Sequence, residues 1–273
     1  MSNPKTKNSN KINITTWNIN SVRKRLNSID KFLKEFTPDI LMLQETKVRN
    51  ELFPFQFFRD FGYSFIHHEG ENTGYNGVAI IAKKDLEIVP KISFIKNARH
   101  LAVKIKGNVE LHNFYIPAGG DIPDVNKNIK FKEKLEFIDN LSAWFKNNRS
   151  RADRVIIVGD LNVAPLENNV WSHKQLLNIV SHTPMEVEKL QKLYESIGFK
   201  DSVRKFTPES EKLYSWWSYR ARDWIKSDRG RRLDHIWTSS NLDEKVMRAN
   251  IIKTTRNHDL PSDHVPVSID INL

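Results

Sequence analysis

Cysteine is absent from the 273 residues. Disulfides, thiolate nucleophiles and Cys-ligated zinc are therefore excluded. A reducing compartment fits this, and a cytoplasmic location is the expectation. No apolar run approaches the ~20 residues that a membrane-spanning helix needs, so no membrane partner is expected. Residues 1–10 are polar, carry two lysines and have no apolar segment. They do not form a secretory signal and read as a short disordered tail. No Gly/Ser-rich or Pro-rich linker divides the rest, so residues 11–273 read as a single domain with a monomer as its expected state. Acidic residues are in deficit. Against 43 Lys and Arg there are 33 Asp and Glu, giving a formal net charge of +10. Such an excess favours polyanionic partners through Coulomb attraction and counterion release.

The remaining composition, 39% hydrophobic and 28% charged, is that of an ordinary globular chain with enough apolar residues for a core. Short apolar runs alternate with helical patterns. Strands are predicted at 11–17, 40–43, 63–68, 77–82, 101–106, 109–116, 155–158, 213–219, 233–238 and 265–271. Helices are predicted at 21–36, 130–147 and 184–197. In the second helix Phe131, Leu135, Ile138, Leu141 and Phe145 form one stripe. The two halves share an outline, each with an apolar strand that ends in an acidic residue, Glu45 or Asp160. Two sheets packed face to face would bring both ends to one rim. Hairpin-like strand pairs favour an α/β sandwich over a purely parallel sheet.

Six polar motifs fall at these strand ends. They are Trp17-Asn18-Ile19-Asn20, Leu43-Gln44-Glu45-Thr46-Lys47, Tyr115-Ile116-Pro117, Gly159-Asp160-Leu161-Asn162, Arg232-Leu233-Asp234-His235 and Ser262-Asp263-His264. Singly each has a plain reading: a loop residue, a turn, or an Asp paired with a neighbouring Arg. Together they place Glu45, Asp160 and Asp263 at rigid strand ends, with Asp234 at a strand start, where sites are commonly built. Clustered carboxylates need a cation or a protonated His. An oxygen-rich, Cys-free set suits a hard ion, Mg²⁺ or alternatively Mn²⁺, which polarises a phosphoryl oxygen and offsets charge on a leaving oxygen. The segment 220–232 adds Arg220, Arg222, Lys226, Arg229, Arg231 and Arg232 against Asp223 and Asp228, directly after the aromatic run 214–219. Basic residues beside exposed aromatics suit a nucleic-acid backbone clamp with a stacking platform. The plainer reading is a solvated charged loop beside a core strand.

In order and spacing these motifs resemble the exonuclease III family of abasic-site endonucleases, within the superfamily that includes DNase I. The resemblance runs from about Lys11 to Ile271. It implies a four-layer α/β/β/α sandwich of two mixed, mainly antiparallel sheets with the site at one edge. It also implies roles. Glu45 is the principal metal ligand, and Asn20 and Asp263 ligate the ion directly or through water. Asp160 orients and deprotonates the attacking water, and Asn162 holds that water or a phosphate oxygen. His264 is a phosphate-binding donor oriented by Asp234. Tyr115 contacts phosphate, and Asn18 supports the metal-binding residues. Trp216 and Leu233 enclose a flipped abasic sugar, whose extrusion is least costly where the base is already missing. Arg23, Tyr75 and Arg220 lie near the DNA backbone or groove. The implied partner is double-stranded DNA with abasic or 3′-end lesions. Three departures stand out. Ala118 replaces a usual Asn or Gln, Ser21 replaces a common Gly, and Arg231 stands where animal members have Trp. A phosphatase of lipid or inositol phosphates and a non-catalytic DNA-binding protein on the same fold remain as alternatives.

Overall fold

The computed structural model is described for residues 10–221 and 223–273. The tail expected at 1–10 therefore lies outside the described residues except for Asn10, as does Arg222. In chain order the strands are β1 (Lys11–Asn18), β2 (Ile40–Gln44), β3 (Phe65–Glu69), β4 (Val78–Ala82), β5 (Glu87–Val89), β6 (His100–Ile105) and β7 (Val109–Tyr115). They continue as β8 (Val155–Asp160), β9 (Phe199–Asp201), β10 (Trp216–Trp217), β11 (Gly230–Arg231), β12 (Asp234–Ser239), β13 (Val246–Ile251) and β14 (Val267–Asn272). Two six-stranded sheets result, ordered β13-β14-β1-β2-β4-β3 and β5-β6-β7-β8-β12-β9. Read in that direction both repeat one pattern. The third and fourth strands, β1 with β2 and β7 with β8, pair in parallel, and every other pair is antiparallel.

The parallel pairs follow from their connections. A parallel neighbour needs a long crossover. The helix Leu26–Phe36 supplies it between β1 and β2, and the helix Ile129–Asn148 between β7 and β8. The inner faces meet in one apolar layer that includes Ile14, Met42 and Ile269 from the first sheet and Val103, Leu111, Val158 and Ile236 from the second. The outer face of the first sheet packs Leu41, Leu43 and Ile81 on Ile29, Phe32 and Leu33 of the first helix. That of the second packs Val155, Ile157 and Trp237 on Ile138, Leu141 and Phe145, and on Leu190 and Leu193 of the helix Pro184–Glu195. The four-layer α/β/β/α order is thus a direct consequence of period-two and period-3.6 apolar patterns meeting.

Two expected strands differ. Only Trp216 and Trp217 of 213–219 pair as a strand, with Arg231 and Gly230. The backbone around them bonds to several partners, including Leu213 N–H to Asn168 O and Trp217 N–H to Asp263 O, so no continuous ladder forms. The last strand begins at Val267 rather than Val265, because Val265 N–H is taken by Ser215 O. The aromatic run is mainly core as well. Tyr214 and Trp217 are buried, and Tyr219 is exposed. Arg232 is also buried, so the basic run is only partly a surface feature.

Candidate active site

The C-terminal ends of β1, β2, β7 and β8 meet at one rim, joined there by the start of β12 and the segment before β14. A polar tie runs beneath. Gln44 Nε2 donates across the sheets to Asn113 Oδ1 (2.7 Å), and Asn113 Nδ2 donates to Leu43 O (3.0 Å) and Ala79 O (2.9 Å). Above it Asn18, fully buried, donates through Nδ2 to Glu45 Oε1 (2.7 Å) and Asp160 Oδ2 (2.8 Å). One amide thereby holds the carboxylate of each sheet. Asn162 clamps Asp160 from the other side, with its N–H on Oδ1 (2.9 Å) and its Nδ2 on Oδ2 (3.2 Å).

His264 completes the centre. Its Nδ1 donates to Asp234 Oδ2 at 2.8 Å, and its Nε2 lies 3.7 Å from Asp160 Oδ2. Asp234 Oδ2 also accepts from Ser215 Oγ (2.6 Å), which accepts in turn from the N–H groups of Leu233 and Asp234. Donor atoms of Glu45, Asp160 and His264 lie within 4.8 Å of one another. Burial works against charge on His264, but Asp234, Asp160 and the Asp234 hydrogen bond outweigh it and raise the imidazole to about 10. Burial raises Asp160 to about 7, with Asp234 and Glu45 adding to it and His264 opposing. For Glu45, burial is outweighed by Lys47 and the Asn18 hydrogen bond, and the carboxyl lies below its ordinary value. Burial, with Glu45 and Asp160 nearby, holds the Tyr115 phenol far above its ordinary value.

The expected metal ligands form a second, more open arc. Asn20 Nδ2 donates to Asp263 Oδ1 (2.9 Å), and Trp216 Nε1 donates to Asp263 Oδ2 (2.9 Å). Lys47 Nζ reaches both Glu45 Oε2 (2.6 Å) and Asn20 Oδ1 (2.7 Å). A cation thus already spans two of the oxygen donors, and the donor set is hard and acidic. These residues fit Mg²⁺ or Mn²⁺ chemically. Trp216 is half-buried, and Leu233 packs with Ala164, Val170 and Leu176. Arg23, Tyr75 and Arg220 are exposed, and none of their side chains bonds to the cluster among the described residues.

Several contributors were given no role from the sequence. Lys47 closes the motif that carries Glu45, Ser215 precedes Trp216, and the two bear directly on Glu45 and Asp234. Lys134, fully buried, donates to Asn162 O (2.7 Å) and Ala118 O (3.3 Å) and pairs with Glu186. Its place beside Phe131 and Leu135 on an amphipathic stripe hid it. Gln44 ends the otherwise apolar β2, where a polar residue was the available signal, whereas Asn113 lies in β7 beside Glu110 and His112 and does not stand out.

A model of the "Endonuclease/Exonuclease/phosphatase family" matches residues 15–264. The chain belongs to that family. Among its relatives, exodeoxyribonuclease III of Haemophilus influenzae is 29% identical over 265 residues, covering 92% of this chain and 97% of its own. An AP endonuclease from Archaeoglobus fulgidus superposes with a TM-score of 0.88 at 31% identity, over 96% of this chain and 100% of the other. A 3′ phosphatase from Neisseria, solved with a product DNA hairpin, gives 0.84 at 28% identity over the same shares. The fold is therefore the DNase I-like sandwich that the motifs implied, with the exonuclease III and AP endonuclease branch as its near relatives.

Proposed function

We propose that this family member is a divalent-metal-dependent DNA-repair nuclease. It hydrolyses the phosphodiester on the 5′ side of abasic sites in duplex DNA and removes 3′ nucleotides or 3′ blocking groups. The observation that carries the reading is Asn18 holding Glu45 and Asp160 together while Asp234 holds a charged His264 over Asp160. Asp160 positions water and takes its proton as the oxygen attacks phosphorus. A carboxyl raised to about 7 is well matched to that step near neutral pH. The free Nε2–H of His264 and the Tyr115 hydroxyl donate to phosphate oxygens, stabilising charge where it grows. Breaking the P–O3′ bond leaves a 5′-phosphate and a 3′ oxyanion, which takes up a proton from solvent to become the 3′-hydroxyl. Glu45, Asn20 and Asp263 would hold Mg²⁺, which when bound polarises a phosphoryl oxygen and neutralises the leaving oxygen.

Duplex DNA as partner is supported by the charge of +10 and by the exposed Arg220, Lys226 and Arg229 on the segment that joins Trp217 to Gly230. Trp216 and Leu233 stand where an extruded sugar would rest. No helix among the described residues is long and apolar enough to cross a membrane. We place the enzyme in the cytoplasm, acting as a monomer. Lipid or inositol phosphates as substrates find no support among the named relatives, all of which are nucleases or act on DNA ends.

Glu45→Ala and Asp160→Asn are expected to lower kcat for Mg²⁺-dependent nicking of an abasic duplex by at least about 10²–10³-fold with the fold retained. Wild-type rates in both variants would overturn the reading.

A further inference from the structure

Beside the site lies a guanidinium that forms no ion pair among the described residues, although the Glu186 carboxylate is near enough to favour its charge. Arg231 sits opposite Trp216 across the β10–β11 ribbon. Its Nη1 donates to Val180 O (3.0 Å) and Ser181 Oγ (2.8 Å), which fixes the plane of the fork. Its Nε is buried without a hydrogen-bond partner among the described residues. None of their carboxylates pairs with it, whereas the neighbouring Arg232 is held at both prongs by Asp201 and the buried Lys134 by Glu186. Its Cζ lies 5.3 Å from the centre of the Trp216 ring. That same indole donates to Asp263, and the Trp216 backbone bridges to His264. The guanidinium therefore stands one aromatic ring away from the proposed phosphate site, against the apolar cluster of Ala164, Val170, Leu176 and Leu233.

A cation that has lost hydration and found only neutral acceptors gains from an incoming anion, and a pre-oriented fork loses little entropy in binding it. We propose that Arg231 is a specificity-determining residue that binds a second anionic group, distinct from the phosphate that is hydrolysed, on the fragment lying against Trp216. This rests on the nuclease reading above. Two groups have that chemistry. One is the backbone phosphate on the 3′ side of an internal abasic residue. The other is the carboxylate of a 3′-phosphoglycolate end. A plain 3′-phosphate end has neither, since its only terminal anion is the phosphate removed.

Steady-state kinetics with Mg²⁺ on these three duplexes test the assignment, using the wild-type chain, Arg231→Leu and Arg231→Lys, with thermal melting as the check on folding. Loss of a charged hydrogen bond is expected to raise KM for Arg231→Leu about tenfold or more on the abasic or the phosphoglycolate duplex. The 3′-phosphate duplex is expected to be unaffected, and Arg231→Lys to recover part of the loss. A loss confined to the abasic duplex identifies the backbone phosphate, and one confined to phosphoglycolate identifies the carboxylate. Where Arg231→Leu melts far below wild type, Arg231→Gln replaces it in the comparison. An equal change on all three duplexes, or none on any, overturns the role of Arg231 and leaves the nuclease reading standing. A wild-type chain that hydrolyses none of them overturns the nuclease reading and the Arg231 proposal with it.

Discussion

Five residues of the site, Asn20, Ser21, Glu45, Lys47 and Asn162, have φ between 46° and 87°. Left-handed backbone costs a residue with a Cβ roughly 1–2 kcal/mol, and here it turns polar groups back over the strand ends they leave. Ser21, at φ 87°, is the most strained of the five, and its side chain makes no hydrogen bond among the described residues. A Gly would suit the position. Ser21→Gly should relieve more strain than the roughly 0.4–1 kcal/mol it adds in unfolded-chain entropy, a net gain on the order of 0.5 kcal/mol in urea denaturation. A less stable variant would contradict this. Asp234 is decisive in a different way, because its Oδ2 accepts from both Ser215 and His264. Asp234→Asn keeps the size and removes the charge. We expect kcat on abasic duplex to fall about 10²-fold or more with little change in melting temperature. An unchanged kcat would count against His264 as the cation that faces phosphate.

At the scale of elements, β7 and β8 show how a glycine sets the geometry of a site. Gly159 stands opposite Phe114 across the parallel pair, at φ 133°. A Cβ there would meet Phe114 O at 1.9 Å. The motif Gly159-Asp160-Leu161-Asn162 is therefore a strand ending in a close backbone approach before Asn162 turns, and a plain turn does not describe it. Gly159→Ala should force β8 away from β7, cost about 1–3 kcal/mol or more, and displace Asp160 enough to depress nicking. Wild-type stability measured by chemical denaturation would show that the sheet gives way without penalty.

At the scale of the whole molecule, two copies of one strand pattern enclose a single apolar layer, and buried histidines are part of its stability. Burial pushes His68 and His235 down to about 3 and His100 well below its ordinary value. The unfolded chain takes up a proton at each of these near pH 6.5, while the folded chain does so only far lower. The unfolded state thus binds more protons, and stability falls as pH drops below about 6.5, by on the order of 1.4 kcal/mol per pH unit for each histidine. Asp160, raised to about 7, takes up a proton in the folded state over the same window and offsets one of them. His264, raised to about 10, is charged in both states there and adds nothing. The urea midpoint is expected to be lower at pH 5 than at pH 7, and equal midpoints would refute the balance.

The elements and the chemical alphabet of the site were legible along the chain. Period-two runs marked β1 and β14, and the stripe from Phe131 to Phe145 marked the long helix. The acidic and amide residues at strand ends marked Glu45, Asp160 and Asn18, because alternation and propensity are local properties. Short edge strands such as β5 and β9 carried too few residues to show a period. Apart from Asp234 with His264, which the family resemblance implied, partnership was settled in three dimensions. The sequence places Arg232 beside Asp234, yet Arg232 pairs with Asp201, and Asp234 pairs with His264 some thirty positions away. Lys134 shares a helix stripe with apolar residues and meets Glu186 in the core. Whether a charge is solvated, paired or left open as at Arg231 depends on which distant segments the two sheets bring to the rim, and no spacing within one segment encodes that.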